Sequence, residues 1–117
     1  VLGVRAWRGA VAAEAMFRMA EAWEIQGNDN KAFAFFQRTY LLYKAHAGGY
    51  WAAEAYLRSA QSLKKMGRNG DMRNTYRAML LDEYVCDLPQ AEQARTVLGP
   101  AEVAELLAPK PDEAQEN

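Results

Sequence analysis

The chain has 117 residues, one cysteine and a formal net charge of −1. That length is one domain's worth. With half its residues apolar and a quarter charged, it has material for a real core. The charge balance excludes a general nucleic-acid binder, which needs surplus Lys and Arg to neutralise phosphates. It also gives no attraction to an anionic membrane surface. Cys86 alone makes neither an internal disulfide nor a metal cluster.

No stretch approaches the roughly 18 apolar residues of a membrane-inserting helix. The start, Val1-Leu2-Gly3-Val4-Arg5, lacks the basic and then apolar pattern of a signal peptide. It does not begin with Met, so the chain reads as a processed product or a portion of a longer protein.

In chain order, the first predicted helix carries Met16, Met19, Ala20 and Trp23 on one face of a 3.6-residue period. Gly27 ends it, since glycine takes the left-handed backbone without a Cβ clash. Asn28, Asp29 and Asn30 supply cap acceptors for the next helix. That helix is expected from about Lys31 to His46, with Ala32, Phe36, Thr39, Tyr40 and Tyr43 inward, and Gly48-Gly49 closes it. Phe33, Phe35 and Phe36 span most of a turn and cannot share one direction. One of them must meet a neighbour or solvent, the neighbour being the segment Val1 to Arg8, another copy or a partner.

A third helix places Tyr56, Ser59, Ala60 and Leu63 inward and closes at Gly67. Asn69-Gly70-Asp71 turns the chain into a fourth helix with Met72, Tyr76, Met79 and Leu80 inward, predicted to end near Tyr84 to Cys86. Pro89 opens a further segment through Ala91, Ala94 and Leu98 to Gly99. Pro100 starts a last short helix with Val103, Leu106 and Leu107. Residues 109–117 are acidic and poor in apolar groups, and disorder is expected there. No strand alternation occurs.

These elements repeat. Ala12-Ala13-Glu14-Ala15 returns as Ala52-Ala53-Glu54-Ala55, and the same shift of forty aligns Gly9 with Gly49, Arg18 with Arg58, Ala20 with Ala60, Gly27 with Gly67, Phe36 with Tyr76 and Leu41 with Leu81. Matched glycines, arginines and aromatics at one shift mark an internal repeat. The expected fold is all-α: antiparallel helical hairpins, units at about 12–46 and 52–86, capping helices at about 89–108, all in one domain of residues 1–108.

Ala20 and Ala60 at the helix crossing, Trp23 and Leu63 three later, Ala32 opening the second helix and Phe36 and Tyr76 make a pattern that resembles the tetratricopeptide repeat. Met72 departs from it, and the unit is longer than the usual one of about 34 residues. The resemblance covers about residues 12 to 98 and implies a short right-handed array with a C-terminal cap. Leu80-Leu81-Asp82-Glu83-Tyr84, then Leu88-Pro89 and an Ala-rich helix, are similar to the bacterial periplasmic subgroup. That subgroup includes the outer-membrane-assembly lipoprotein and the Tol-Pal-associated cell-division protein. A periplasmic setting is what that likeness implies, with the cytoplasm left open.

The sequence offers no catalytic, cofactor or metal set. His46 lacks partners at ligand spacing, and its position suits the carbonyl end of a helix. Cys86 stands among Asp82, Glu83 and Asp87, which favour the thiol over the thiolate, so a structural role at the end of the fourth helix is expected. Glu14, Glu21 and Glu24 read as a solvated stripe rather than acid–base groups. The resemblance instead implies a partner-binding groove lined by Glu14, Phe17, Glu21, Glu24, Ile25, Glu54, Leu57, Gln61, Lys64 and Lys65. One wall is then acidic with an exposed Phe and the other basic near its end. The expected function is a non-catalytic scaffold for a protein or peptide partner, with no cofactor. The alternatives are a self-associating structural module, a homodimer through Trp7, Val11 and Trp51, and last an enzyme fragment.

Overall fold

A computed structural model describes residues 2–109, with side chains from Trp7 onward. All regular structure among them is helical: α1 (Leu2–Ile25), α2 (Asp29–Tyr43), a 3-10 turn (Ala47–Gly49), α3 (Tyr50–Lys65), α4 (Asn69–Leu81), α5 (Ala91–Leu98) and α6 (Pro100–Leu107). No helix among the described residues is long and apolar enough to cross a membrane. Of the tail expected at 109–117, residues 110–117 lie outside the described residues.

The two long turns are built alike, bond for bond. Gly27 N–H donates to Glu24 O at 2.9 Å and Asn28 N–H to Trp23 O at 3.0 Å. Forty residues on, Gly67 N–H donates to Lys64 O at 3.0 Å and Arg68 N–H to Leu63 O at 2.9 Å. Both glycines are left-handed, at φ 80° and 76°. This double bond pattern satisfies the last free carbonyls of each helix. The Asn28 side chain then accepts from Lys31 N–H at 3.1 Å and starts α2, as its cap chemistry requires. Arg68 has no such oxygen; its side chain reaches Asp71 instead.

Packing follows the turns. Phe17 of α1 meets Phe36 of α2 edge to face at 5.2 Å, and Tyr40 of α2 stacks on Tyr56 of α3 at 3.8 Å. Ala20, Ala32, Ala52, Ala53, Ala55 and Ala60 are fully buried, so small side chains hold the crossings close. The inward sets foreseen for the third and fourth helices are all buried. So are Ala32, Phe36, Thr39 and Tyr40 of α2, while Tyr43 is half-buried. The Thr39 hydroxyl donates to Phe35 O at 2.9 Å, which lets a polar residue sit in that core.

Four expectations need correction. The buried stripe of α1 is Ala13, Phe17 and Ala20; Met19 is exposed, and Met16 and Trp23 are half-buried. Apolar residues occur on more than one side of this helix, and the core takes the side facing α2. Residues from Leu2 to Arg8 are no separate neighbour but the start of α1 itself. Helix α2 stops at Tyr43, before His46. Helix α4 stops at Leu81, because Asp82 is extended (φ −88°, ψ 111°) and its Oδ1 accepts the Tyr84 N–H at 3.0 Å. That local carboxylate-to-backbone bond competes with the helix. Cys86 therefore lies in a turn beyond α4, half-buried, with its carbonyl accepting from Arg95 at 2.8 Å.

Candidate functional site

The stripe of α1 that carries most of the residues expected to line a groove is read from spacing. Trp7, Val11, Glu14, Arg18, Glu21 and Ile25 advance by four and three alternately, which keeps them on one stripe. All are exposed except Glu21, which is half-buried. The same stripe in α3 is Trp51, Glu54, Arg58, Gln61 and Lys65. Of the predicted groove residues, Glu14, Glu21, Ile25, Glu54, Gln61 and Lys65 fall on it. Glu24 and Lys64 flank it.

Phe17 does not line the groove. It stands one step round the helix toward α2, is 2% exposed, and packs on Phe36 and on Trp51 at 5.3 Å. Leu57, its counterpart in α3, is half-buried against the core cluster. An apolar residue at this position pays for the hairpin core rather than for a partner contact.

The acidic wall is also engaged from within. Arg58 of α3 reaches across to α1, donating to Glu21 Oε2 at 3.1 Å and to Glu24 Oε1. Arg18 holds the other Glu21 oxygen at 2.6 Å, and Lys65 lies 3.5 Å from Glu24. Burial pushes the Glu21 carboxyl up, but its bonds to Arg18 and Arg58 outweigh this and hold it below the usual carboxylate range. Burial likewise works against the Arg58 charge, and Glu24 and Glu21 more than restore it. Arg58 also lies over the rings of Phe17 and Phe36, at 5.6 and 5.3 Å, so the cross-link sits on the aromatic core.

Sequence reasoning missed Arg18 and Arg58 as groove residues, although their repeat at the forty-residue shift was in view. It paired no arginine with the glutamates. Arg18 further covers Trp51 at 5.3 Å. On the far side of α3, Glu54 accepts from Gln90 at 3.0 Å, so it faces the start of α5. Outside these pairs stand Ile25, which is 86% exposed, and the exposed Gln61 and Lys64; Glu14 lies 3.5 Å from Arg18, as Lys65 does from Glu24, and both stay exposed.

The remaining candidates for chemistry fall into structural places. The ring of His46 rests against the backbone of Gly9 and near Tyr43, at 6.2 Å. Among the described residues, no three of His, Cys, Asp and Glu gather as a metal-holding group. Comparison with family models, with curated proteins and with solved structures finds no match to this chain.

Proposed function

We propose that the chain is a non-catalytic binding module of the tetratricopeptide kind, holding a peptide or helical segment of a partner protein along the α1–α3 groove. The observation that carries this reading is the cross-link from Arg58 to Glu21 and Glu24. It fixes the spacing of two adjacent first helices and leaves Ile25 and the lysines of α3 reachable beside it. A groove held rigid before binding loses less entropy when occupied. The repeated turns at Gly27 and Gly67 support the repeat assignment. A bacterial cell-envelope setting rests on the sequence resemblance alone.

The groove chemistry suits a segment with an apolar anchor for Ile25 and a carboxylate for Lys64 and Lys65. Selection from a displayed peptide library tests this. Apolar–acidic peptides are expected to be enriched by the natural chain. Charge reversal, Lys64→Glu with Lys65→Glu, should weaken them and lower their salt sensitivity while circular dichroism stays helical. Equal affinity for both proteins would remove the lysines from the mechanism. No enrichment at all would sink the groove reading.

A further inference from the structure

The groove leaves another side of α1 unexplained. Ala12, Ala15, Met16, Met19 and Ala22 form a second stripe, advancing by three, one, three and three. Ala15 and Ala22 are exposed, Met19 is 47% exposed, and Ala12 and Met16 are half-buried. Val11, at its border, is 46% exposed. Forty residues on, the same positions are Ala52, Ala55, Tyr56, Ser59 and Ser62. Four of these are fully buried, and Tyr56 is 5% exposed.

What buries them is in part helix α2. Tyr40 of α2 stacks on Tyr56 at 3.8 Å, and the buried Ser59 hydroxyl turns back to donate to Tyr56 O at 3.0 Å. So within this one molecule the stripe of α3 receives an amphipathic helix with an aromatic residue at its centre. In α1 the counterparts of Tyr56 and Ser59 at the forty-residue shift are Met16 and Met19. A helix with apolar residues on several sides is ordinarily covered on them, and an outermost repeat unit ordinarily turns a polar face outward. Helix α1 instead presents alanines and methionines.

We infer that the Ala12–Ala22 face of α1 docks an amphipathic helix of a partner protein, in the register α2 uses on α3, with an aromatic side chain set between Met16 and Met19. The alanines let the partner backbone come close. The methionines supply polarizable, adaptable contacts whose sulfurs favour aromatic rings. This surface is separate from the groove, so the two readings stand or fall independently.

The test uses the whole chain labelled with carbon-13 at its methionine methyls. The probe is a peptide of residues 28–46 carrying Leu41→Glu and Leu42→Lys, since both leucines are exposed in α2. Ring-current shifts are expected at Met16 and Met19, while the buried Met72 and Met79 hold still. Met19→Glu, at an exposed site, should leave the helical spectrum intact and weaken the peptide by about tenfold. Lys64→Glu with Lys65→Glu should change nothing here, which separates this face from the groove. Unmoved Met16 and Met19 signals would overturn the inference. So would shifts at Met72 and Met79, which mean invasion of the core. Concentration-dependent shifts of Met16 and Met19 without peptide, with a dimer in sedimentation, would give the face to a second copy and also overturn it.

Discussion

The Tyr56 hydroxyl donates to Asp82 Oδ2 at 2.7 Å, tying the first half of α3 to the residue that ends α4. Asp82 is 9% exposed, and its other oxygen is already engaged by the Tyr84 N–H. One carboxylate therefore stops a helix and anchors it to its hairpin partner. Tyr56→Phe removes one partner and leaves a buried acceptor unsatisfied, at a cost of about 1–3 kcal/mol. Urea denaturation should show the midpoint falling. The alkaline limb should change as well. Burial, and then the bond to Asp82, push the Tyr56 phenol well above its ordinary value. The unfolded chain gives up that proton more easily, so stability present below about pH 10 is lost as pH rises beyond it. In the Phe variant this loss should be shallower. An unchanged alkaline slope would show that the bond does not govern it.

The crossings should respond to volume. Ala20 and Ala60 are fully buried at equivalent places. Ala20→Leu or Ala60→Leu forces extra methylenes into a filled contact, costing about 1–3 kcal/mol. Thermal unfolding of the two variants should give similar losses. A neutral result at either site would contradict the close packing of that hairpin.

The Arg58 cross-link should appear as an acid dependence. The folded state holds Glu21 below its ordinary value of 4.5. The unfolded chain thus takes up the proton first. The contribution is whole above that value and is lost as pH falls from there through the folded-state value. Arg58→Met keeps packing over Phe17 and Phe36 but removes the charge. It should cost about 1–2 kcal/mol near neutral pH, between a surface pair and a buried one. The variant should then lose less than the natural chain on acidification to pH 3. Parallel pH profiles would show that the bridge is not coupled to folding.

These residues also show what the sequence could and could not disclose. Glycine and asparagine at the turns act through local backbone chemistry, so Gly27, Asn28 and Gly67 were legible. The inward faces of α3 and α4 were legible because each helix has one apolar side. Helix α1 has apolar residues on several sides, and periodicity alone does not say which side the core takes. Hence periodicity places Met19 inward and the resemblance places Phe17 outward, the reverse of what the packing requires. The end of α4 was misplaced because Asp82 stops it with a side-chain bond that becomes worthwhile only beside Tyr56. The groove charges were legible as a list of acids and bases. Their pairing across α1 and α3 depends on helix spacing, which no one-dimensional pattern contains.

Gly9 and Gly49, matched at the forty-residue shift, both stand where the segment following a second helix returns to the first, yet for different physical reasons. A Cβ on Gly49 would lie 2.5 Å from the Tyr84 carbonyl oxygen, and its φ of 81° is left-handed. Gly49→Ala is therefore opposed by both backbone conformation and contact. Gly9 lies inside α1, where Ala is favoured over Gly by about 1 kcal/mol. Its added Cβ would instead meet the His46 ring, 2.1 Å from Nδ1. Substitutions at Gly9 and His46 should thus couple. Gly9→Ala alone is expected to destabilise, because the ring must leave its place against α1. In a His46→Ala background the same change should stabilise by about 0.5–1 kcal/mol, as helix propensity alone dictates. A double-mutant cycle by chemical denaturation measures the coupling directly. Additive effects would mean that His46 does not rest on Gly9.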